Sequence, residues 1–236
     1  IELQDSSAEY IYNGKAQKPK VVVKNGNEVI AAKNYTVSYA NNINAGLAEI
    51  IVTGKGSLAG SKLTNFIISA KNLDDTFKDK TSVVSDIKAQ TYTGEAITPK
   101  ITIKGLKEGA DKDFTVTYSN NIDVMYSGDK VEKGAMVMIA LSPNYCISDY
   151  TKLTAYFQIN PAKISSVKAT NQYYLGGQSV TTDVTVMAGK LTVPSECYSV
   201  SYAENYTQVT SKAKVVVTAY ANGNFTGEKE ATFKIS

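Results

Sequence analysis

The chain contains no histidine, no tryptophan and no arginine among its 236 residues, and it has only two cysteines. Histidine is the usual general base and the commonest metal ligand, so Ser-His-Asp triads and histidine metal sites are excluded. Neither Cys146 nor Cys197 has a histidine that could activate it as a nucleophile. We therefore predict a protein that is not an enzyme, with no catalytic residues, no metal and no cofactor. An active site built only from carboxylates, as in glycoside hydrolysis, stays open as an alternative.

The charge of the chain is balanced, with 25 lysines against 22 acidic residues and a net charge of +3. Arginine is the preferred residue for bidentate contacts with phosphates and base edges, and it is missing. Both observations argue against a nucleic-acid partner. The sequence has no apolar run of about 18 residues, so we predict no membrane insertion.

Three segments of the sequence repeat one another at intervals of about 80 residues, which is enough for a small domain. The first repeated motif is Tyr12-Asn-Gly-Lys-Ala-Gln-Lys-Pro-Lys20, which returns as Tyr92-Thr-Gly-Glu-Ala-Ile-Thr-Pro-Lys100 and, shortened, as Tyr174-Leu-Gly-Gly177. The second is Tyr35-Thr-Val-Ser-Tyr39, which returns as Phe114-Thr-Val-Thr-Tyr118 and Tyr198-Ser-Val-Ser-Tyr202. The third is Phe66-Ile-Ile-Ser69, which returns as Phe157-Gln-Ile-Asn160 and Phe233-Lys-Ile-Ser236.

The local patterns predict strands and no helices. Runs such as Val21–Lys24, Glu49–Thr53 and Ile101–Lys104 are rich in β-branched residues, and Gly- and Asn-containing turns separate them. Tyr35–Tyr39 alternates apolar and polar residues, which places one face in a core and the other in water. Many short strands with a turn every 8 to 12 residues are typical of antiparallel β-sandwiches. We expect the glycines at 14, 94 and 176 to adopt positive φ, and the tyrosines at 39, 118 and 202 to bury their rings while their hydroxyls bind backbone.

We place the domain boundaries near Ala70 and Pro161. The three predicted domains are residues 1–70 (repeat one), 71–161 (repeat two) and 162–236 (repeat three, which is degenerate). The junctions Ser69–Asn72 and Asn160–Lys163 are short and poor in Gly and Ser, and Pro161 fixes its φ. We therefore predict an all-β, elongated array of three modules with semi-rigid joints.

The motif Tyr-Thr-Gly-x-Ala-x-x-Pro-Lys, followed by [Tyr/Phe]-Thr-Val-[Ser/Thr]-Tyr-x-Asn-Asn, resembles bacterial immunoglobulin-like tandem repeats of secreted and cell-surface proteins from gut Firmicutes. Residues 12–69 and 92–160 match it well, whereas 174–236 has Thr181 where the other copies have Pro19 and Pro99. The resemblance implies three Ig-like antiparallel β-sandwich modules. It carries no catalytic residue over to this chain.

Repeat two contains a loop insertion at 124–133 that repeat one lacks. Either the insertion is drift in an unconstrained hairpin, or it is a contact loop that exposes Met125 and Tyr126. Several tyrosines lie outside the strict repeat, and aromatic rings are what sugar-binding modules use for stacking. The candidate ligand-binding residues are Tyr126, Tyr145, Tyr150, Met125 and Tyr173.

The resemblance implies a non-catalytic spacer or interaction fragment of a larger bacterial surface or secreted protein, which is extracellular or attached to the cell wall, with its signal and anchor outside this fragment. Its partners would be other domains of the same polypeptide, and we expect a monomer. The alternative function is a glycan-binding or adhesive module that uses the loop tyrosines of repeat two to bind a polysaccharide, a host-surface glycan or a host protein.

Overall fold

The computed structural model describes all residues, 1–236, and the protein is all-β. It has no α-helix, and its helical segments are the short 3-10 turns Ala32–Asn34, Tyr150–Leu153 and Ser195–Cys197. No helix is long and apolar enough to cross a membrane. The all-β class predicted from the sequence is confirmed, while the finer division into three Ig-like modules stays a prediction.

The strands are short and are distributed over the whole chain. In repeat one they are Glu2–Leu3, Tyr10–Ile11, Val21–Val22, Lys24–Asn25, Glu28–Val29, Tyr35–Ala40, Gly46–Gly54 and Ser61–Ser69. In repeat two they are Lys71–Asn72, Gln90–Thr91, Phe114–Ser119, Tyr126–Ser127, Lys130–Val131, Ala135–Leu141, Tyr145–Cys146, Thr154–Phe157 and Ile159–Asn160. In repeat three they are Ala162–Lys163, Ser166–Ala169, Val184–Ala188, Leu191–Thr192, Tyr198–Tyr202, Thr210–Ala219, Phe225–Thr226 and Glu228–Ile235.

The largest sheet lies in repeat one and has Gly46–Gly54 as an inner strand. This strand pairs antiparallel with Tyr35–Ala40 on one side and with Ser61–Ser69 on the other. Every second residue of Gly46–Gly54 points inward, so the buried positions are Ala48, Ile50 and Val52. Leu3 and Val21, from a separate two-stranded sheet, pack against this core, which gives repeat one two facing layers.

Repeat three is built in the same way. Its central strand Thr210–Ala219 pairs antiparallel with Tyr198–Tyr202 and Glu228–Ile235. Ala213, Val215 and Val217 are fully buried at alternate positions. A second sheet, which contains Val184–Ala188, supplies Val186 and Ala188 to the core cluster of Val217, and Val184 packs against this cluster and against that of Ala213 and Val215. This two-layer packing is sandwich-like.

The main sheet of repeat two has the strand order Phe114–Ser119, Ala135–Leu141, Thr154–Phe157. Its middle strand buries Ala135, Val137 and Ile139, the same alternation as in the other repeats. The prediction of a strand at Ile101–Lys104 is wrong, although Ile101 and Ile103 are buried. The corresponding Val21–Val22 of repeat one is a strand because it pairs with Glu2–Leu3, whereas no strand pairs with Ile101–Lys104.

The chain divides into two compact units. Unit 1 comprises residues 1–83, 102–115 and 139–153, and unit 2 comprises 84–101, 116–138 and 154–236. The division runs through repeat two, so that some of its residues belong to each unit. The domain boundaries near Ala70 and Pro161 therefore stay predictions.

A tyrosine hydroxyl of the repeated strand motif binds backbone in all three repeats. The hydroxyls of Tyr39 and Tyr118 donate to the carbonyls of Pro19 and Pro99, each at 2.5 Å. Tyr202 donates to the Thr182 carbonyl at 3.3 Å and accepts a hydrogen bond from the Thr182 N–H at 2.8 Å. The predicted backbone partners are confirmed, with the rings half-buried. Burial also raises the pKa of Tyr39 above its ordinary value, with a smaller contribution from Tyr10.

We expect Tyr39→Phe to lower the free energy of unfolding of repeat one by about 1 kcal/mol or more, because the buried Pro19 carbonyl loses its donor. Urea unfolding followed by NMR signals of residues 35–69 measures this effect. Tyr150→Phe is the matched control, since the Tyr150 side chain is 75% exposed. Equal losses from the two substitutions would contradict the assignment.

Candidate functional site

The structure brings together residues from consecutive repeats at two places, and we take these as the candidate functional sites. Each repeat first closes on itself, because the short segment that leads into its Tyr-x-Gly motif pairs in parallel with its last strand. The pairs are Tyr10–Ile11 with Ile68–Ser69, Gln90–Thr91 with Ile159–Asn160, and an isolated bridge between Gln172 and Ile235. The closure places the repeated Tyr-x-Gly motif beside the point where the chain leaves the repeat.

The tight turn of this motif depends on its glycine. Gly14, Gly94 and Gly176 have φ values of 74°, 80° and 63°, as predicted. The N–H groups of Tyr12, Tyr92 and Tyr174 donate to the carbonyls of the last strand, at 2.9, 2.9 and 3.1 Å. The tyrosine side chain is thereby held at the same end of each repeat.

The first junction lies within unit 1 and consists of Tyr12, Asn44–Ala45, Lys71–Leu73 and Asn144–Cys146. Residues that follow the last strand of repeat one form a parallel pair with a loop of repeat two, Lys71 opposite Tyr145 and Asn72 opposite Cys146. The N–H groups of Lys71 and Leu73 donate to the carbonyls of Asn144 and Cys146, both at 2.9 Å. The connecting segment is therefore a strand, with its backbone donors satisfied.

Two side-chain contacts reinforce the first junction. The Asn144 amide oxygen accepts a hydrogen bond from the Ala45 N–H at 2.7 Å, and the Asn144 amide nitrogen donates to Asn44 Oδ1 at 3.2 Å. The rings of Tyr12 and Tyr145 meet edge to face, with centroids 5.4 Å apart. Such aromatic pairs contribute about 0.5–1.5 kcal/mol beyond the area they bury.

The second junction lies within unit 2 and repeats this arrangement with Tyr92, Asp123–Val124, Ala162–Ile164 and Asn224–Thr226. Ala162–Lys163 pairs in parallel with Phe225–Thr226, and the N–H groups of Ala162 and Ile164 donate to the carbonyls of Asn224 and Thr226 at 2.9 Å. Asn224 accepts from the Val124 N–H and donates to Asp123, both at 2.8 Å. The Tyr92 and Phe225 rings meet edge to face at 5.3 Å.

The insertion of repeat two belongs to the second junction. It forms a hairpin in which Tyr126–Ser127 pairs with Lys130–Val131 around Gly128. The Tyr126 hydroxyl donates to the Gly223 carbonyl at 2.9 Å, and burial raises the pKa of Tyr126. The expectation that Tyr126 is exposed is wrong, because this contact holds the ring half-buried. Met125 lies over Gly134 and is 41% exposed.

The five predicted ligand-binding residues therefore differ in their surroundings. Tyr126 and Tyr145 belong to the second and first junctions, and they lie in different units. Tyr150 begins a 3-10 turn and is 75% exposed, and Tyr173 is 80% exposed. Ligand binding by these residues stays a prediction.

The phenol of Tyr145 is the most perturbed titratable group of the first junction. Burial raises its pKa to about 12, with further contributions from the nearby Asp113 and Tyr12. Next to it, hydrogen bonds from the Ser148 hydroxyl and N–H lower the pKa of Asp74. Asp74 thus ties the segment after Lys71–Leu73 to the loop after Cys146.

The two cysteines are free and lie in different units. Cys146 is exposed in the first junction, whereas Cys197 is half-buried. Burial raises the pKa of the Cys197 thiol, and the neighbouring Glu196 adds to the effect. No group of three or more Cys, Asp or Glu side chains is placed to hold a metal ion.

The junction asparagines were not singled out from the sequence as site residues. Their signal is the dipeptide Asn144-Tyr145, which recurs as Asn224-Phe225 at the same position of the next repeat. Their partners lie about 100 residues away in the chain, at separations of 99 and 100. No local pattern marks such a contact.

No protein-family model matches the chain, and no curated protein matches it significantly.

We expect Asn144→Ala to loosen the first junction, because the Ala45 N–H loses its acceptor, at a cost of about 1–3 kcal/mol. Amide hydrogen exchange read by NMR should speed up at Ala45, Lys71 and Leu73, with the core amide of Ile50 unchanged. Asn65→Ala, on the exposed side of Ser61–Ser69, is the control. Unchanged protection at Ala45 and Leu73 would contradict the role given to Asn144.

We expect part of the free energy of unfolding to be lost at alkaline pH because of Tyr145. A phenol with a raised pKa in the folded state holds its proton more tightly there than in the unfolded chain. Its contribution is complete below pH 10 and is lost as the pH rises from about 10 to about 12. Urea unfolding across this range should show a shallower decline for Tyr145→Phe than for the parent protein. If the free energy of unfolding declined equally with pH in the variant and the parent protein, Tyr145 would titrate normally.

Proposed function

We propose that the chain consists of three tandem Ig-like β-sandwich modules with a mechanical role, as a non-catalytic spacer of a larger secreted or cell-surface bacterial protein. The observation that carries the proposal is the recurrence of one junction at two places. A module that only had to fold would not need the same asparagine, aromatic pair and parallel strand pair at each connection. A spacer does need them, because they fix each module on the next.

The chemistry of the junction supports this role. In each one, the residues between repeats are held by two backbone hydrogen bonds, and the asparagine adds two side-chain bonds. The ring pair covers apolar surface beside them. A flexible linker, in contrast, is rich in Gly and Ser and leaves its backbone to water. Resemblance of the repeated motifs to bacterial Ig-like repeats supports the same role, and it supports a location outside the cell or on its wall.

A second candidate function is adhesion or glycan binding through exposed aromatic side chains. The observation in its favour is that Tyr150 and Tyr173 are 75% and 80% exposed. Tyr126 and Tyr145 are less suited to this task, since their side chains are engaged within the junctions.

We expect the protein to migrate unretarded in native gels cast with starch, xylan or mannan, because a spacer has no site for neutral polysaccharides. Retardation by any of these polymers would favour the second function. In that case Tyr150→Ala and Tyr173→Ala should abolish the retardation, with Tyr35→Ala, in the repeated strand motif, as the control.

A further inference from the structure

A groove of about 420 Å³ opens in unit 2, next to the second junction. Its volume falls in the range of small-ligand sites, about 300–1,000 Å³. Its lining is mainly apolar and includes two lysine side chains. Among the lining residues are Tyr92, Ala162, Lys163, Ala188, Lys190 and Leu191.

The walls of the groove are held in place by contacts already described. The Tyr92 ring packs on Phe225, and Ala162–Lys163 forms a strand with Phe225–Thr226. The opposite wall is the tight turn between Ala188 and Leu191, in which Gly189 has φ 63°. The Gly189 N–H donates to Ser165 Oγ at 2.9 Å, which anchors the turn. A ligand would therefore meet a site that is already formed, which reduces the ordering cost of binding.

The two lysines of the groove have no ion-pair partner. Neither Lys163 nor Lys190 takes part in a salt bridge within 4.0 Å, whereas Lys24 and Lys214 each pair with a glutamate. The Lys163 stem runs past Gly227, where an added Cβ would lie 3.4 Å from Lys163 Cγ. Two lysine side chains without an ion-pair partner, beside apolar residues, favour a ligand that combines an anionic group with an apolar face.

The class of ligand follows by elimination. A bare inorganic anion would leave the apolar surface of Tyr92, Ala188 and Leu191 without a contact. A nucleic acid would call for arginines and a broad basic surface, and the chain has no arginine and a net charge of only +3. An acidic sugar has C–H faces that stack on aromatic and apolar side chains, hydroxyls for Thr91, and a carboxylate or sulfate for the lysines.

We propose that this groove binds an acidic sugar unit, which packs its ring against Tyr92 and Leu191 and pairs its anionic group with Lys163 and Lys190. Ligand binding in this groove would be a function in addition to the mechanical role. It does not depend on that role. It also differs from the loop tyrosines considered above, since none of them lines it.

The test is NMR titration of the full 236-residue chain with trigalacturonate, 3′-sialyllactose and a sulfated disaccharide, each at millimolar concentration. The proposal predicts shifts at Thr93, Lys163 and Leu191 with at least one of these probes. Maltotriose, a neutral sugar, and benzoate, a carboxylate without a sugar, are the comparison ligands. The assignment would be overturned if benzoate or maltotriose caused shifts as large as those of the best acidic sugar. It would also be overturned if no acidic probe caused shifts.

The double variant Lys163→Gln, Lys190→Gln should weaken binding of the responding probe about tenfold or more, because hydrogen bonds to charged groups are lost. Lys168→Gln, Lys229→Gln is the matched control, with two exposed lysines of the same repeat that do not line the groove. Unchanged affinity in the first double variant would place the site elsewhere. Native-like amide spectra of both double variants would show that the substitutions leave the fold intact. A failure of the ligand proposal would then leave the proposed spacer role untouched.

Discussion

Parallel backbone pairing between the first strand of a repeat and a later loop of the same repeat is the constraint on which the other junction contacts depend. The pair at Lys71–Asn72 fixes where repeat two begins, and the pair at Ala162–Lys163 does the same for repeat three. Because each of these short strands is hydrogen-bonded along one edge to a loop of its own repeat, the asparagine and the aromatic ring of that loop come to lie next to the preceding repeat. The side-chain contacts then lock an orientation that the backbone has already restricted.

The two junctions share a plan and differ in detail. Asn44 in the first corresponds to Asp123 in the second, and Tyr145 corresponds to Phe225. The phenol of Tyr145 makes the first junction sensitive to alkaline pH, whereas phenylalanine cannot titrate. The second junction has an additional tether, the hydrogen bond from Tyr126 to Gly223. That bond attaches the insertion of repeat two to repeat three.

Features that depend on neighbours in sequence could be predicted from the sequence. Period-two alternation identified the inward positions Tyr35, Val37 and Tyr39, which are half-buried while Thr36 and Ser38 are exposed, and the need for positive φ identified Gly14 and Gly94. Features that depend on distant residues could not. Ile101–Lys104 has strand-forming residues but forms no strand, whereas the corresponding Val21–Val22 of repeat one pairs with Glu2–Leu3. The junction strands have only two residues each, too few to show a period. The groove joins Tyr92 to Leu191, which no spacing along the chain would suggest.

The central claim is that consecutive repeats are held in one orientation by the junctions, and a spin-label distance measurement tests it most directly. With Cys146 and Cys197 replaced by serine, labels at Thr36 of repeat one and Lys112 of repeat two lie on either side of the first junction and within the same unit. The account predicts a single narrow distance distribution that broadens when Asn144→Ala is added. A broad distribution in the parent protein, unchanged by Asn144→Ala, would contradict it.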